Sequence, residues 1–329
     1  MWIQIQEPAV PPENLTEMII VRGFHALQTV LTHPVITIGN FDGVHRGHQA
    51  IIELAVKKAR ARKGQCVAYT FKPHPQIALK PGAQVALLST YDEKLDALSK
   101  LGVDVVIEEP FSREFSTTAP EQFFKDVLLR RLNAEAVVVG YDFGFGKERG
   151  GQIAVLEALC TQDGVELTVV QPQRVDGEIV SSSRIRQHLL TGNLEIANRL
   201  LGRQFSYRGI VVKGEGRGRK IGFPTANLKL DNKLALPYGV YATWAILGDR
   251  KFLSVTNLGV RPTFQTDQEL PALVETHLLD QTIDLYGSSL EVLFVERLRD
   301  EKKFSGIDDL KIQIQKDVEK ARTLLTSTA

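Results

Sequence analysis

The chain has 329 residues, of which 43% are hydrophobic and 24% charged. That length favours two domains, because a single core rarely grows past ~250–300 residues. Its 40 basic and 39 acidic side chains leave a formal charge of +1, which argues against a partner such as nucleic acid or a membrane surface but leaves room for a local basic loop.

The opening run MWIQIQEPAVPPENLTEM has prolines at 8, 11 and 12 and no basic start followed by an apolar core. Residues 1–17 therefore read as an irregular leader rather than a secretory signal, with the fold starting near Met18. No apolar run approaches the ~20 residues that span a bilayer. Cys66 and Cys160 stand far apart without metal-like spacing. They are expected to be small buried side chains in a reducing, cytoplasmic setting.

From there, short β-branched runs alternate with helical patterns. Strands are expected at Val35–Gly39, Cys66–Phe71, Val103–Ile107, Ala136–Gly140 and Val165–Val170, each apolar enough to be buried on both faces of a parallel sheet. Between them, Gly47–Lys63 places Ile51, Ala55 and Ala59 on one stripe. Tyr91–Leu101 stops at Gly102, a helix is expected from Thr118 with Glu121 completing a capping box, and another spans Gly151–Gln162. Strand–helix alternation of this kind implies a doubly wound α/β sheet. Two short helices follow, Ser183–Leu190 and Leu194–Leu201, closed by Gly192 and Gly202. Beyond Tyr207 strands dominate, at Gly209–Lys213, Thr225–Leu230, Gly239–Leu247, Phe252–Thr256, Leu273–Leu279 and Leu290–Leu298, with no helical pattern between them. That reads as an antiparallel barrel. A last helix, capped at Ser305, would face its partner with Ile307, Leu310, Ile314, Val318, Ala321 and Leu325. The expected domains are 18–190 and 203–329, joined by a helical link at 191–202.

The run Gly39-Asn40-Phe41-Asp42-Gly43-Val44-His45-Arg46-Gly47-His48 leaves the first strand and enters the first helix. Open α/β sheets bind ligands beyond the carboxyl ends of their strands, and a helix N-terminus offers N–H groups to phosphate. His45 and His48, three apart, can face the same phosphates and donate to charge developing on a leaving pyrophosphate. Two histidines satisfying loop carbonyls would give the same pattern. Late in the same half, Ser181-Ser182-Ser183-Arg184-Ile185-Arg186 opens a helix. Hydroxyls followed by an arginine one turn on suit a polyphosphate, though a serine at a helix start is commonly an N-cap. The combination of HxGH with a late serine–arginine helix is the one nucleotidylyltransferases use.

The segment 213–222 holds four glycines and four cations, including Gly214, Gly216, Arg217 and Gly218. Such a flexible basic loop cradles phosphate, or is merely a solvated hairpin. Neither a P-loop nor a dinucleotide fingerprint occurs. Just after it, Thr225 and Asn227 alternate along a strand and so point to one face, as Mg²⁺ ligation beside ATP phosphates requires. Glu275 sits in the strand-like run VETHLLD, where it could take a proton from a substrate hydroxyl or simply form a salt bridge.

At GNFDGVHRGH (39–48), FKPHP (71–75), GYDFGFGKERGG (140–151), SSSRIR (181–186), GRGRKIGFPTANL (216–228), NLGVRPTF (257–264) and VETHLLD (274–280) the chain resembles the bacterial bifunctional riboflavin kinase/FAD synthetase family, from Met18 to Leu325. The resemblance implies a Rossmann-like nucleotidylyltransferase domain that adenylylates FMN to FAD, followed by a riboflavin kinase barrel with a closing helix. It assigns Gly39, Asn40, Phe41, Gly43, His45, His48, Ser182, Ser183 and Arg186 to ATP in the first domain, and Phe71, His74 and Asp142 to the flavin. In the barrel it assigns Gly214, Gly216, Arg217, Gly218 and Thr225 to ATP, Thr225 and Asn227 to Mg²⁺, Glu275 to the general base and Arg299 to the flavin side. Riboflavin, FMN and ATP are the implied small-molecule partners, with flavin-requiring apoproteins as FAD acceptors. Gly144 departs from the arginine or threonine often found there, and Ser183 stands where threonine is common. Rival readings are a kinase alone, another small-molecule nucleotidylyltransferase, or an oligonucleotide-binding barrel; 7% aromatic residues weaken the last, which needs stacking platforms.

Overall fold

The computed structural model describes residues 17–80, 87–214, 216–230, 236–259, 273–281 and 283–327. The expected leader, apart from residue 17, lies outside them, as do residues 260–264 of NLGVRPTF. Two compact units emerge. One takes residues 17–41, 48–80 and 95–171, and the other takes 42–47, 87–94 and 172–327.

The first unit is a six-stranded parallel sheet in the order β1-β4-β3-β2-β5-β6. Its strands are β1 (Ile19–Arg22), β2 (Val35–Ile38), β3 (Cys66–Lys72), β4 (Val105–Pro110), β5 (Ala136–Gly140) and β6 (Glu166–Val170). Every residue of β2 and β5 is buried, which is why both read as unbroken apolar runs. The edge strand β1 gives no such signal, because only Val21 of its four residues is buried. After β4 the chain crosses back past β2 to lay down β5, so the direction of winding reverses between β2 and β5. Ligands of open α/β sheets bind at such a reversal, beyond the carboxyl ends of the strands. Both cysteines are buried and free, and burial pushes the Cys66 thiol up to about 12.

The helices depart from expectation in detail. Helix α1 (Arg46–Ala61) buries Ile52, Ala55 and Ala59, not the expected Ile51. Helices α2 (Pro75–Leu79) and α3 (Tyr91–Lys100) follow β3. The capping box at Thr118 does not form. Thr118 closes a 3-10 turn over Phe115–Thr117, and α4 (Pro120–Gln122) starts after Ala119 with Pro120 in its first turn. Proline suits that position because its missing N–H would have no helical partner and its φ is already helical. The chain then widens into a π-type helix, Phe123–Arg131, which buries Phe123, Phe124, Val127 and Leu128. Helix α5 is Ile153–Asp163.

The second unit is built on a closed barrel ordered β10-β13-β12-β11-β14-β9. A hairpin of β7 (Arg174–Val175) and β8 (Glu178–Ile179) precedes α6 (Ser182–Leu190) and α7 (Leu194–Leu201). Its Asp176–Gly177 turn, with both φ positive, is the tight-turn signal that the sequence reading passed over. The barrel strands are β9 (Phe205–Val212), β10 (Ala226–Leu230), β11 (Gly239–Leu247), β12 (Arg250–Gly259), β13 (Leu273–Leu278) and β14 (Ser289–Arg299). Strand β9 starts four residues earlier than expected because Phe205 and Tyr207 alternate inward, opposite Phe294 and Val292. One helical turn, α8 (Arg217–Lys220), interrupts what was expected to be helix-free. Thr243, Ser254, Thr256 and Thr276 form a chain of hydroxyl hydrogen bonds within the barrel, at 2.8, 2.8 and 3.0 Å, so these buried polar groups satisfy one another. Ile185, Leu189, Ala197, Leu200 and Leu201 of α6 and α7 share a core with the barrel interior.

Helix α9 (Ile307–Ser327) lies on the outer face of β11 and β12. Val318, Ala321 and Leu325 pack there on Val240, Ala242, Trp244 and Val255. The expected stripe holds only in its second half, since Ile307 is 61% exposed. Ser305 is not the cap: its hydroxyl bonds the Asp309 carboxylate, while Gly306 accepts the first helical hydrogen bond, from the Leu310 N–H.

Candidate active sites

Strand β2 delivers the chain to Gly39, whose N–H bonds the Tyr69 carbonyl at 3.1 Å. A Cβ at Gly39 would lie 2.9 Å from the Phe41 ring. Asn40 accepts from the Thr70 hydroxyl at 3.2 Å, and Phe41 meets the His48 ring edge-on, centroids 5.5 Å apart. The turn that follows is tight. Phe41, Gly43 and Val44 have φ of 49°, 79° and 39°, and for non-glycine residues such a conformation costs about 1–3 kcal/mol unless the surroundings hold it. Helix α1 then starts at Arg46 with His48 in its first turn, where N–H groups lack helical partners.

In the second unit the turn is held by several groups. Asp42, 4% exposed, accepts from the Leu88 and Ser89 N–H groups at 2.9 and 3.2 Å and pairs with Arg186 at 2.6 Å. The Gly43 N–H donates to Ser89 Oγ at 3.0 Å, and the Gly43 carbonyl accepts from Arg203 Nη1 at 2.6 Å. Ser182 Oγ donates to the Asp42 carbonyl at 3.4 Å and lies 3.2 Å from His45 Nε2. Since a hydroxyl has one proton, Ser182 accepts from His45, which sets the Nε2–H tautomer. His45 is 4% exposed. Burial, aided by the charges of Arg203 and Arg186, lowers its pKa from 6.5 to about 4, so the ring is neutral at physiological pH.

The structure thus brings together Gly43, His45, Ser182 and Arg186. Ser183 is exposed in the next position of α6. The capping reading holds for Ser181, whose side chain accepts from the Arg184 N–H. Sequence reasoning missed Asp42, Ser89 and Arg203. Nothing local marks Ser89 or Arg203, whereas an aspartate between two glycine-flanked turns was a usable hint.

The expected flavin residues of the first unit follow β3 and β5. Phe71 joins an aromatic cluster with Tyr69, Phe111 and Phe115, centroids 5.3–6.2 Å apart. His74 caps α2, its Nδ1 accepting from the Gln76 N–H at 3.2 Å. Asp142 lines a cavity of about 450 Å³ with Phe143, Gly144 and Arg149. A side chain at Gly144 would meet Arg149 Nε at 3.0 Å, so the missing side chain leaves room for that guanidinium. A larger cavity of about 680 Å³ opens beside Phe24, Glu109, Phe115, Phe123 and Arg130; no sequence signal pointed to it.

On the barrel, Asn227 faces Glu275 across β10 and β13, and Glu275 faces Asn257 across β12. Directly opposed residues share a face; Thr225, expected to open the strand, stands one residue before β10. Asn257 opens the NLGVRPTF run, but sequence reasoning gave it no role. Gly214 abuts Asn227 so closely that a Cβ would lie 2.4 Å from its amide nitrogen. Gly218 packs on the Phe223 carbonyl and Thr225 Oγ1, while Gly216 takes φ of 66° at the start of α8 and Arg217 projects from that turn, exposed. His277 Nδ1 lies 2.8 Å from the Pro224 carbonyl. Arg299 makes a forked pair with Asp317 of α9 at 2.7–3.0 Å, which ties the end of β14 to the closing helix.

Residues 27–184 match the family model for FAD synthetase, and residues 201–325 match that for riboflavin kinase. A bifunctional riboflavin kinase/FMN adenylyltransferase from Escherichia coli (strain K12) is 37% identical over 307 residues, covering 93% of this chain and 97% of that one. The chain belongs to the bifunctional riboflavin kinase/FMN adenylyltransferase family. A family member from Haemophilus influenzae is 36% identical over 314 residues, 94% of this chain and 100% of its own. A solved structure described as a macrolide-efflux protein from Streptococcus pneumoniae superposes with a TM-score of 0.84 at 32% identity, over 93% of this chain and 99% of that one. Efflux is that protein's description; among the described residues here, no helix is long and apolar enough to cross a membrane. Within this chain, His45 and Ser182 fall in the FAD synthetase match, and Thr225, Asn227, Glu275 and Arg203 in the riboflavin kinase match.

Proposed function

We propose that this protein phosphorylates riboflavin to FMN with ATP and then adenylylates FMN with a second ATP, giving FAD and pyrophosphate. One observation carries the reading: a single chain holds a His45–Ser182 hydrogen bond beside Arg186 at a strand-to-helix turn, and a separate Asn227–Glu275 pair on opposed barrel strands. We assign the adenylyl transfer to domain 18–190 and the kinase to 203–329, linked by 191–202.

In adenylyl transfer an FMN phosphate oxygen attacks the α-phosphorus of ATP, and the bond to the pyrophosphate breaks. His45, neutral and carrying its proton on Nε2, donates without needing to titrate. His48, Gly39, Asn40, Phe41 and Gly43 line the loop against the phosphates, and Ser182, Ser183 and Arg186 oppose the growing negative charge. Phe71, His74 and Asp142 receive the flavin.

In the kinase, the ribityl 5′-hydroxyl attacks the γ-phosphorus and ADP leaves. Glu275 takes the hydroxyl proton. Gly214, Gly216, Arg217 and Gly218 cover the phosphates, and Arg299 borders the flavin. Thr225 and Asn227 offer neutral oxygens beside a carboxylate, a donor set that suits a hard cation shared with phosphates, and Gly214 leaves open the space a Cβ would fill next to Asn227. Magnesium held there would neutralise phosphate charge during transfer. The substrates and the free thiols support a cytoplasmic enzyme that passes FAD to flavin-requiring apoproteins. The test is incubation of pure protein with riboflavin and MgATP, with separation of products. FMN and FAD together are expected, and FMN without FAD, even from supplied FMN, refutes the bifunctional reading.

A further inference from the structure

The adenylyl-transfer turn and the start of the barrel meet at one side chain. Arg203 follows α7 and stands two residues before β9, in the part of the chain matched to riboflavin kinase. Its Nη1 donates to the Gly43 carbonyl at 2.6 Å in a part-buried bond. That is the shortest of the bonds holding Gly43, whose N–H goes to Ser89 Oγ at 3.0 Å. The carboxylates of Asp42, Glu93 and Glu291 attract the same guanidinium. Glu291 lies on β14 and also pairs with Arg208 of β9 at 3.3 Å, so one cation feels a barrel carboxylate while it bonds the backbone of the turn.

We propose that Arg203 is a positioning residue for adenylyl transfer: it fixes the Gly43 peptide, and through it the placement of His45, from the kinase side of the chain. The physical need is clear from the backbone. Gly43 takes a left-handed φ freely, but Val44, with φ of 39°, is a β-branched residue that leaves such a conformation unless its surroundings hold it. Asp42 and the Gly43 N–H are fixed by 88–89, and His45 by Ser182. The Gly43 carbonyl lies between those anchors, and its orientation decides the direction in which residues 44 and 45 leave. Arg203 supplies a charged donor, through Nη1, from a segment that the first strand and helix do not contain. A cation is the stronger donor here because charge-assisted bonds are shorter and roughly twice as strong as neutral ones. Lysine could retain the charge but not the fork.

The proposal rests on the adenylyltransferase assignment, so the experiment measures both activities in the full-length protein. Arg203→Met keeps the stem and removes the donor; Arg203→Lys keeps the charge. The expected result for Arg203→Met is a fall in kcat for FMN adenylylation of about 10²-fold, the scale of a ~1 Å misplacement, with KM for ATP little changed and riboflavin phosphorylation within about twofold of wild type. Arg203→Lys should recover at least a tenth of wild-type kcat. Adenylylation within about threefold of wild type in Arg203→Met overturns the proposal, as does an equal loss of both activities. A drop in both variants alike, with no recovery by lysine, also overturns it. Should Arg203→Met fail to fold, Arg203→Gln takes its place: a kcat loss confined to adenylylation supports positioning, and unchanged kinetics refute it. Absence of FAD synthesis in the wild type would instead refute the functional assignment beneath it.

Discussion

Acidification offers a direct measure of the packing around His45. Its pKa falls from 6.5 to about 4 on folding, first by burial and then by the charge of Arg203. Between these values the unfolded chain binds a proton that the native state refuses, so native stability falls as pH drops below 6.5 and the loss is complete below about 4. At 1.36 kcal/mol per pKa unit the full loss is about 3 kcal/mol, and at pH 5 about 2 kcal/mol. The assay is thermal or urea unfolding of wild type and His45→Gln at pH 7.5 and pH 5. Wild type should lose about 2 kcal/mol more than the variant between the two conditions, a difference of roughly 4–8 °C in Tm for a unit of this size. The sign matters as much as the size. A paired, protonated histidine would be stabilised by acid, so a wild type that gains stability relative to His45→Gln at pH 5 would refute the account. So would identical slopes, which would mean that His45 titrates as it does in water.

Three further outcomes follow from the same structure. His48→Ala should abolish most FAD formation, by about 2–4 kcal/mol of transition-state stabilisation, while FMN formation survives; equal loss of both in a folded variant would contradict separate sites. Glu275→Gln should slow riboflavin phosphorylation about 10²–10⁴-fold and leave supplied FMN convertible to FAD, and a near-normal kinase rate would make Glu275 a structural strand residue. Gly43→Ala should destabilise by more than 1 kcal/mol, because φ is 79° there and the new Cβ would lie 2.8 Å from that of Leu88; denaturation midpoints equal to wild type would show that the turn relaxes freely.

Much of the fold is legible in local pattern. Strands β2 and β5 are buried along their whole length, so their sequences are continuously apolar and announce themselves. The barrel strands alternate, as Tyr241, Thr243 and Ala245 turn inward while Val240, Ala242 and Trp244 turn toward α9. What failed were features without a local signature. The edge strand β1 hides because three of its four residues face solvent. The capping box at Thr118 fits a motif but yields to Pro120, whose ring selects a later start. The α9 stripe is read correctly from Ile314 onward, but Ile307 at its start is apolar and exposed, because nothing local marks where the contact with the barrel begins.

The candidate sites divide along the same line. Residue types and their spacing are local: histidines three apart at a strand-to-helix turn, a serine-rich helix start, and Asn227 on a strand with Thr225 just before it. Spacing suffices there because backbone period decides which side chains share a face. That Asp42 meets Arg186, 144 positions away, that Ser182 accepts a hydrogen bond from His45 across 137, and that Arg203 reaches Gly43 across 160 are matters of long-range packing. Those pairs depend on where the chain returns after closing a sheet and entering a barrel. No periodicity encodes that return, and the burial that makes His45 a neutral donor exists only once it is complete.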